Sequence, residues 1–465
     1  MLFNSLEFIL FFPIVCLVYY LLPGIKGRTI FLLLASYYFY MCWEPVYALL
    51  LLTSTSITYI SALCMDRFRS RRRRKISLFS GIFINLGILF FYKYYEFAGS
   101  LITDFFSLLN IGIEIPRWNV LLPVGISFYI FQAVGYAIDV YRGTIKAEKN
   151  FVVYALFISF FPQLVAGPIE RAKNMLPQFR EKHKFSYENF DAGLRLMIWG
   201  FFMKLCVADR VSTYVDAVYN NYMEHSGVSL LLATFFFTFQ IYCDFAGYSL
   251  IAIGSSKMMG FTLMENFHRP YFAKSIKEFW RRWHISLSTW FKDYLLYQVS
   301  MSGLCKKINK FTRRKWGNQA SRAFSAVIPA AVVWIVTGVW HGAASCFVLW
   351  GIYHGILIVS SGLFEIPIQK LCKFLHMDTE CFSFNLFRMA RTFMLSTIGR
   401  IFFAVSAGFA TFFEFLKRMF NFRQFGLHTL LDESLYSYGL DQHNFTLAML
   451  LVALVWGVSM LQEKF

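Results

Sequence analysis

Two histidines stand where an imidazole is costly to keep. His341 ends the apolar stretch AAVVWIVTGVWHGAA, with Gly338 and Gly342 on either side. An ionisable side chain in a membrane-length apolar run must line a wet cavity or have polar partners. Neutral imidazole, with an ordinary pKa of about 6.5, can take a proton from a substrate hydroxyl at physiological pH. The plainer alternative for His341 is a hydrogen bond to a neighbouring helix. His284 lies in Ser275–Leu296, SIKEFWRRWHISLSTWFKDYLL. Read as one helix, this segment places Lys277, Arg281, His284, Ser288 and Lys292 on one polar stripe. Phe279, Trp283, Leu287, Trp290 and Tyr294 form a mostly aromatic stripe. Such a cationic stripe suits a phosphate-bearing donor or lipid headgroups. It equally suits an interfacial anchor.

Gln240 and Asp244 interrupt the run ATFFFTFQIYCDFAGYSL four residues apart, so they share a helix face. They are read either as substrate contacts or as interhelical hydrogen-bonding groups. His354, in LWGIYHGIL, is read as structural, packed beside glycine. The chain has no GxSxG elbow, no P-loop and no HExxH. No closely spaced carboxylate pair suggests glycosidase chemistry. Its nine cysteines are scattered without CxxC or zinc spacing, and no metal site is expected. Histidine without a protein nucleophile points to direct transfer, in which a deprotonated substrate hydroxyl attacks an activated acyl group.

The elements that position these residues are membrane helices. Of 465 residues, 57% are hydrophobic and only 15% charged. A water-soluble chain carries roughly 25% charged residues, so a soluble protein is excluded and a polytopic one expected. About 20 apolar residues make a span, giving room for ten to twelve. Twelve apolar runs fall at about 6–22, 29–41, 47–64, 76–91, 120–140, 151–165, 194–211, 228–253, 323–339, 347–363, 390–412 and 445–461. The net charge of +18 is read as an orientation signal and not as nucleic-acid binding. Its densest cluster, Arg67–Lys75, and the pair Lys26 and Arg28 mark cytoplasmic loops. Two crossings separate these loops, with Trp43–Pro45 as the outer hairpin, so the N-terminus is expected outside the cytoplasm. Residues Leu6–Leu22 are read as a retained first helix. The stretch Ala390–Phe425 carries Arg391, Arg400, Lys417, Arg418 and Arg423, and part of it is expected along the interface. No internal repeat is visible, which counts against an inverted-repeat transporter.

The blocks DFAGYS (Asp244–Ser249), ENFHRP (Glu265–Pro270), EFWRRWHISLSTWFKDY (Glu278–Tyr294) and GVWHGA (Gly338–Ala343) occur in that order. Upstream stand LPVGISFYIFQAVGYAIDVYRG (Leu122–Gly143) and FPQLVAGPIER (Phe161–Arg171). Together they resemble the membrane-bound O-acyltransferase family. The nearest likeness is to its bacterial alginate O-acetylation branch, with the D-alanyl transfer branch of teichoic acid modification close by. The resemblance spans residues 1–365, expected as the acyltransferase core, with 366–465 completing the same membrane domain. It implies an all-α ring of helices around a transmembrane tunnel in the bacterial cytoplasmic membrane. It also implies a thioester donor, acetyl-CoA or an acylated carrier protein, as co-substrate and no permanently bound cofactor. The acceptor would be an extracytoplasmic hydroxyl, on a partner of the SGNH-hydrolase type and then on a cell-wall or exopolysaccharide chain. The family's catalytic histidine matches His341, and the second histidine of the bacterial branch matches His284. Asp244, Gln240, Arg281, Lys277, Ser288 and Trp340 are candidate substrate-binding residues. A polysaccharide or lipid transporter is the rival of a different class.

Overall fold

A computed structural model of the chain describes residues 1–112, 115–118, 121–404, 408–421 and 435–464. Among these residues the fold is all-α, and the extended pairing it holds is an isolated antiparallel bridge between Phe267 and Trp283. The helices α1 (Val46–Arg67), α2 (Arg71–Lys93), α3 (Gly227–Met258), α4 (Ile276–Arg282), α5 (Ile285–Phe291), α6 (Gly303–His341), α7 (Ser345–Leu363), α8 (Phe382–Ala404) and α9 (Gln442–Lys464) follow in chain order, with shorter helices between them. Helix α6 is broken at Gly317, whose φ of 80° lies outside the helical region.

Six segments among the described residues are long and apolar enough to cross a membrane: α1, α2, α3, Phe324–His341 of α6, α7 and Gln442–Glu463 of α9. They coincide with six of the twelve apolar runs. Of the other runs, several make shorter or broken helices, and the run from Ala390 falls partly on α8, which has 23 residues but carries Arg388, Arg391 and Arg400. Leu6–Leu21 is a helix of 16 residues. The run from Phe151 stops at Ser159, turns at Phe160, and restarts as a single turn whose first positions hold Pro162. The run from Leu194 passes from α-helix into a π-helical stretch, Phe202–Ala208.

The chain divides into two compact units, one of Met1–Phe201 with Tyr248–Glu265, the other of Phe202–Gly247 with Asn266–Phe465. In the first, α1 and α2 form a hairpin joined by hydroxyls. Ser61 Oγ donates to the Ser77 carbonyl at 2.6 Å, and Ser77 Oγ returns a bond to the Ser61 carbonyl at 3.0 Å. Small residues that bond across helices replace the hydrophobic drive that lipid removes. The turn of this hairpin carries the exposed cationic cluster at Arg69 and Arg71–Arg73.

The second unit holds both motif histidines. The residues after 365 pack into it, and Glu463 of α9 accepts two hydrogen bonds from the Arg282 guanidinium, each 2.9 Å. The cationic stretch from Ala390 separates by residue. Arg400 is not interfacial, being only 5% exposed, with its guanidinium over the rings of Trp283, Tyr271 and Phe279 at 4.9, 5.3 and 5.8 Å. Lys417 and Arg418 lie in the last turn of the amphipathic helix Phe409–Met419, whose buried face holds Phe412 and Phe415. Arg423 lies outside the described residues.

Candidate active site

The segment around His284 is two helices and not one. Helix α4 starts on a cap in which Ser275 Oγ accepts from Glu278 N at 3.2 Å and Glu278 Oε2 accepts from Lys274 N at 2.9 Å. It ends at Trp283, where the backbone turns extended and pairs with the chain at 266–268. His268 N donates to the Arg282 carbonyl and Ile285 N to the Asn266 carbonyl, both at 2.9 Å. His284 sits at the junction in the left-handed region, φ 46° and ψ 54°. A non-glycine residue there costs about 1–3 kcal/mol and persists only where its surroundings hold it.

This break corrects the single polar stripe read from the sequence. Helical spacing predicts only where side chains would fall if the helix continued, and hydrogen bonds to residues 266–268 stop it. Lys277 is exposed and pairs with Glu365 at 3.3 Å, and Arg281 is exposed. Ser288 lies beyond the turn on α5, its hydroxyl 3.4 Å from the Trp283 carbonyl. His284 is driven inward to 2% exposure.

His341 is the last residue of α6, and a tight hairpin follows into α7. A Cβ at Gly342 would come within 2.0 Å of the Phe347 ring, so a side chain at this position of the GVWHGA block would have to displace that ring. The His341 ring packs edge-on against Trp350 at 4.7 Å and Phe403 at 5.5 Å. Trp340 links the two histidines, with ring centroids 5.9 Å from His284 and 5.0 Å from His341. Burial holds the His284 imidazole well below its ordinary pKa, and the nearby His341 lowers it further. The neutral form is therefore the resident one. Two residues 57 apart in sequence are thus brought against one indole ring.

The remaining candidates are placed as follows. Asp244, on α3, forms an ion pair with Lys204 at 2.6 Å, and Lys204 also reaches Asp209 at 2.7 Å. It is the next residue, Phe245, that meets the His284 ring, at 4.7 Å. Gln240 stands one turn earlier on α3, its Oε1 buried without a hydrogen-bond partner among the described residues. His354 of α7 is buried among Trp280, Trp334 and Trp350 at 5.0, 5.5 and 4.9 Å. Sequence reasoning missed Asn266, whose side chain contacts His284 Nδ1 at 3.1 Å, although it quoted the ENFHRP block that contains it. It also missed Arg400, which a lone arginine in an apolar run could have flagged.

In the first unit, Glu170 of the FPQLVAGPIER block is 2% exposed and accepts bonds from the backbone N–H groups of Met264 and Arg171. Burial pushes its carboxyl up to about 7 against the lowering effect of those bonds.

Membrane-length helices define a multi-pass membrane protein, and Trp340 packed against both His284 and His341 marks its candidate site. Comparison with known proteins makes the class specific. Residues 144–408 match the membrane-bound O-acyltransferase family. The chain is 34% identical over 405 residues to the probable alginate O-acetylase of Pseudomonas syringae pv. tomato, covering 87% of this chain and 72% of that one. It is 31% identical to the peptidoglycan O-acetyltransferase of Helicobacter pylori, over 77% of this chain and 70% of that one. The teichoic acid D-alanyltransferase of Bacillus subtilis is 29% identical over 54% of this chain and 61% of its own length. The chain belongs to the membrane-bound O-acyltransferase family and is an O-acyltransferase.

Proposed function

We propose that the chain moves an acetyl group from a cytoplasmic thioester, through a tunnel in the bacterial cytoplasmic membrane, to a hydroxyl on the extracytoplasmic side. His341 is the general base. The observation that carries this reading is the adjacency of His284 and His341 through Trp340. The imidazole takes the hydroxyl proton as the oxygen attacks the thioester carbonyl carbon. The new C–O bond forms, the C–S bond breaks, and the proton passes to the departing sulfur. A base of matched pKa contributes roughly 10²–10⁴-fold. Burial of His284, 2% exposed, helps keep water from consuming the thioester. Acetyl-CoA or an acylated carrier protein supplies the acyl group. An SGNH-hydrolase-type partner receives it and passes it to an envelope polysaccharide. The cationic hairpin at Arg67–Lys75 faces the cytoplasm and the N-terminus the opposite side.

Acetyl transfer is favoured over D-alanyl transfer because the two O-acetylating relatives align over 87% and 77% of this chain, and the D-alanyltransferase over 54%. A transporter reading would leave the imidazole pair without a task. The test is mass spectrometry of ester-linked acyl groups on envelope polymers from cells with the wild-type chain, with His341→Ala, and without the chain. Acetyl esters that depend on His341 support the reading. D-alanyl esters would replace the donor, and unchanged polymers would refute acyl transfer to the envelope.

A further inference from the structure

We propose that Asn266 is a positioning residue that locks His284 in its Nδ1–H tautomer, so that this imidazole meets the reaction through a lone pair on Nε2. The inference rests on the acyl-transfer reading for its consequence, and on geometry alone for the tautomer. Oδ1 of Asn266 lies 3.3 Å from the backbone N of Ser286, 2.9 Å from Ser286 Oγ and 3.1 Å from His284 Nδ1. A backbone N–H can only donate, so the amide atom facing it must be the oxygen. An oxygen in that place requires a proton on Nδ1, and the neutral ring then keeps its lone pair on Nε2.

The surrounding backbone fixes the place of Asn266, and a flipped amide would set its NH2 against the Ser286 N–H. The Asn266 carbonyl accepts from Ile285 N at 2.9 Å, and the Phe267–Trp283 bridge follows directly. Asn266, His284 and Ser286 are 1%, 2% and 0% exposed, so bulk water does not compete for these bonds. An amide oxygen behind an imidazole is the device that orients the base in cysteine–histidine–asparagine proteases.

A lone pair at Nε2 repels a carbonyl oxygen and attracts an N–H or O–H group. His284 is therefore unsuited, as the neutral ring, to polarise the thioester carbonyl. It serves the pair as an acceptor. When the hydroxyl proton moves to His341 during C–O formation, the neutral His284 can accept a hydrogen bond at Nε2 from an N–H or O–H group. The proton leaves on the sulfur once the C–S bond breaks, and both rings are neutral again.

The test uses the full chain in lipid nanodiscs, with ¹⁵N-labelled histidine and the His284 signals identified by their loss in His284→Gln. The expected spectrum at neutral pH has a protonated δ1 and an unprotonated ε2 nitrogen. Asn266→Asp keeps an acceptor and should keep the δ1 nitrogen protonated, while its charge favours protonation of ε2 as well. Asn266→Leu removes it, and should lose the signature and lower kcat about 10- to 100-fold with KM nearly unchanged. Ser286→Ala leaves the acceptor two donors and should behave as wild type. A protonated ε2 nitrogen in the wild-type chain overturns the proposal whatever the activity, as does an Asn266→Leu chain with unchanged signature and kcat. A wild-type chain with the expected spectrum and no acyl transfer refutes the functional reading and leaves the lock standing.

Discussion

Gly338 of α6 and Gly351 of α7 face each other across a helix crossing that has no room for a side chain. A Cβ on Gly338 would lie 2.4 Å from the Phe347 carbonyl oxygen and 3.3 Å from the Gly351 Cα. A Cβ on Gly351 would lie 2.4 Å from the Trp334 carbonyl oxygen and 3.1 Å from the Gly338 Cα. Both obstacles are backbone and cannot swing away. This contact fixes the hairpin that presents Trp340 and His341. Gly351→Ala should separate the helices and cost about 1–3 kcal/mol, as overpacking does. The check is the thermal midpoint in detergent together with acyl transfer. An unchanged midpoint with full activity would show that the crossing has slack.

His341→Ala should lower acyl transfer by about 10²–10⁴-fold, the contribution of a positioned base. Insertion and thermal midpoint should stay close to wild type, because His341 is only half-buried. His284→Ala should also lower turnover strongly, and its stability should fall because a buried ring is removed. Turnover assayed beside protein recovered from the membrane separates the two effects. A fully active His341→Ala chain would remove that residue from the chemistry.

Glu170 should make the protein less stable as pH rises. Its folded-state pKa is raised from 4.5 to about 7, so its contribution is fully present below about pH 4.5 and lost as pH climbs through 7. The shift corresponds to about 3 kcal/mol. Unfolding midpoints measured at about pH 5 and pH 8 should differ more for wild type than for Glu170→Gln. Equal pH dependence in the two chains would mean that the carboxyl is not buried in its neutral form.

Glu463 should tie α9 to α4. Its carboxylate takes both arms of the Arg282 guanidinium at 2.9 Å and the Arg269 Nε at 3.3 Å. The partners are partly buried, so the fork geometry counts for more than a surface pair. Glu463→Gln should cost about 1–3 kcal/mol, read as a lower thermal midpoint. Activity should fall less than in His341→Ala.

Much of the molecule was legible in the residues. Apolar run length located the six membrane-length helices, since helix rise and bilayer thickness tie residue count to span. The sequence places Gly338 and Gly342 beside His341, and the structure shows Gly338 meeting Gly351 at a close helix crossing. The stripe through Lys277, Arg281 and His284 was misread because spacing assumes a continuous helix. Pairing of Trp283 with Phe267, contributed by a segment sixteen residues upstream, ends it. Asp244 was conspicuous as an acid in an apolar run, but its partner Lys204 comes from a separate π-helical stretch that hydropathy does not reveal.

The sequence by itself determined that the chain lives in a membrane, that it is helical, and which family it belongs to. Membrane residence and helicity follow from composition and short-range spacing, which are local properties of the chain, and the family from its resemblance in short motif blocks. Only the tertiary structure decided that His284 is a left-handed hinge facing inward, that Trp340 joins it to His341, and that the Asn266 side chain meets its Nδ1. Those relations depend on hydrogen bonds and ring contacts between segments distant in sequence, whose energies exist only once the helices have packed.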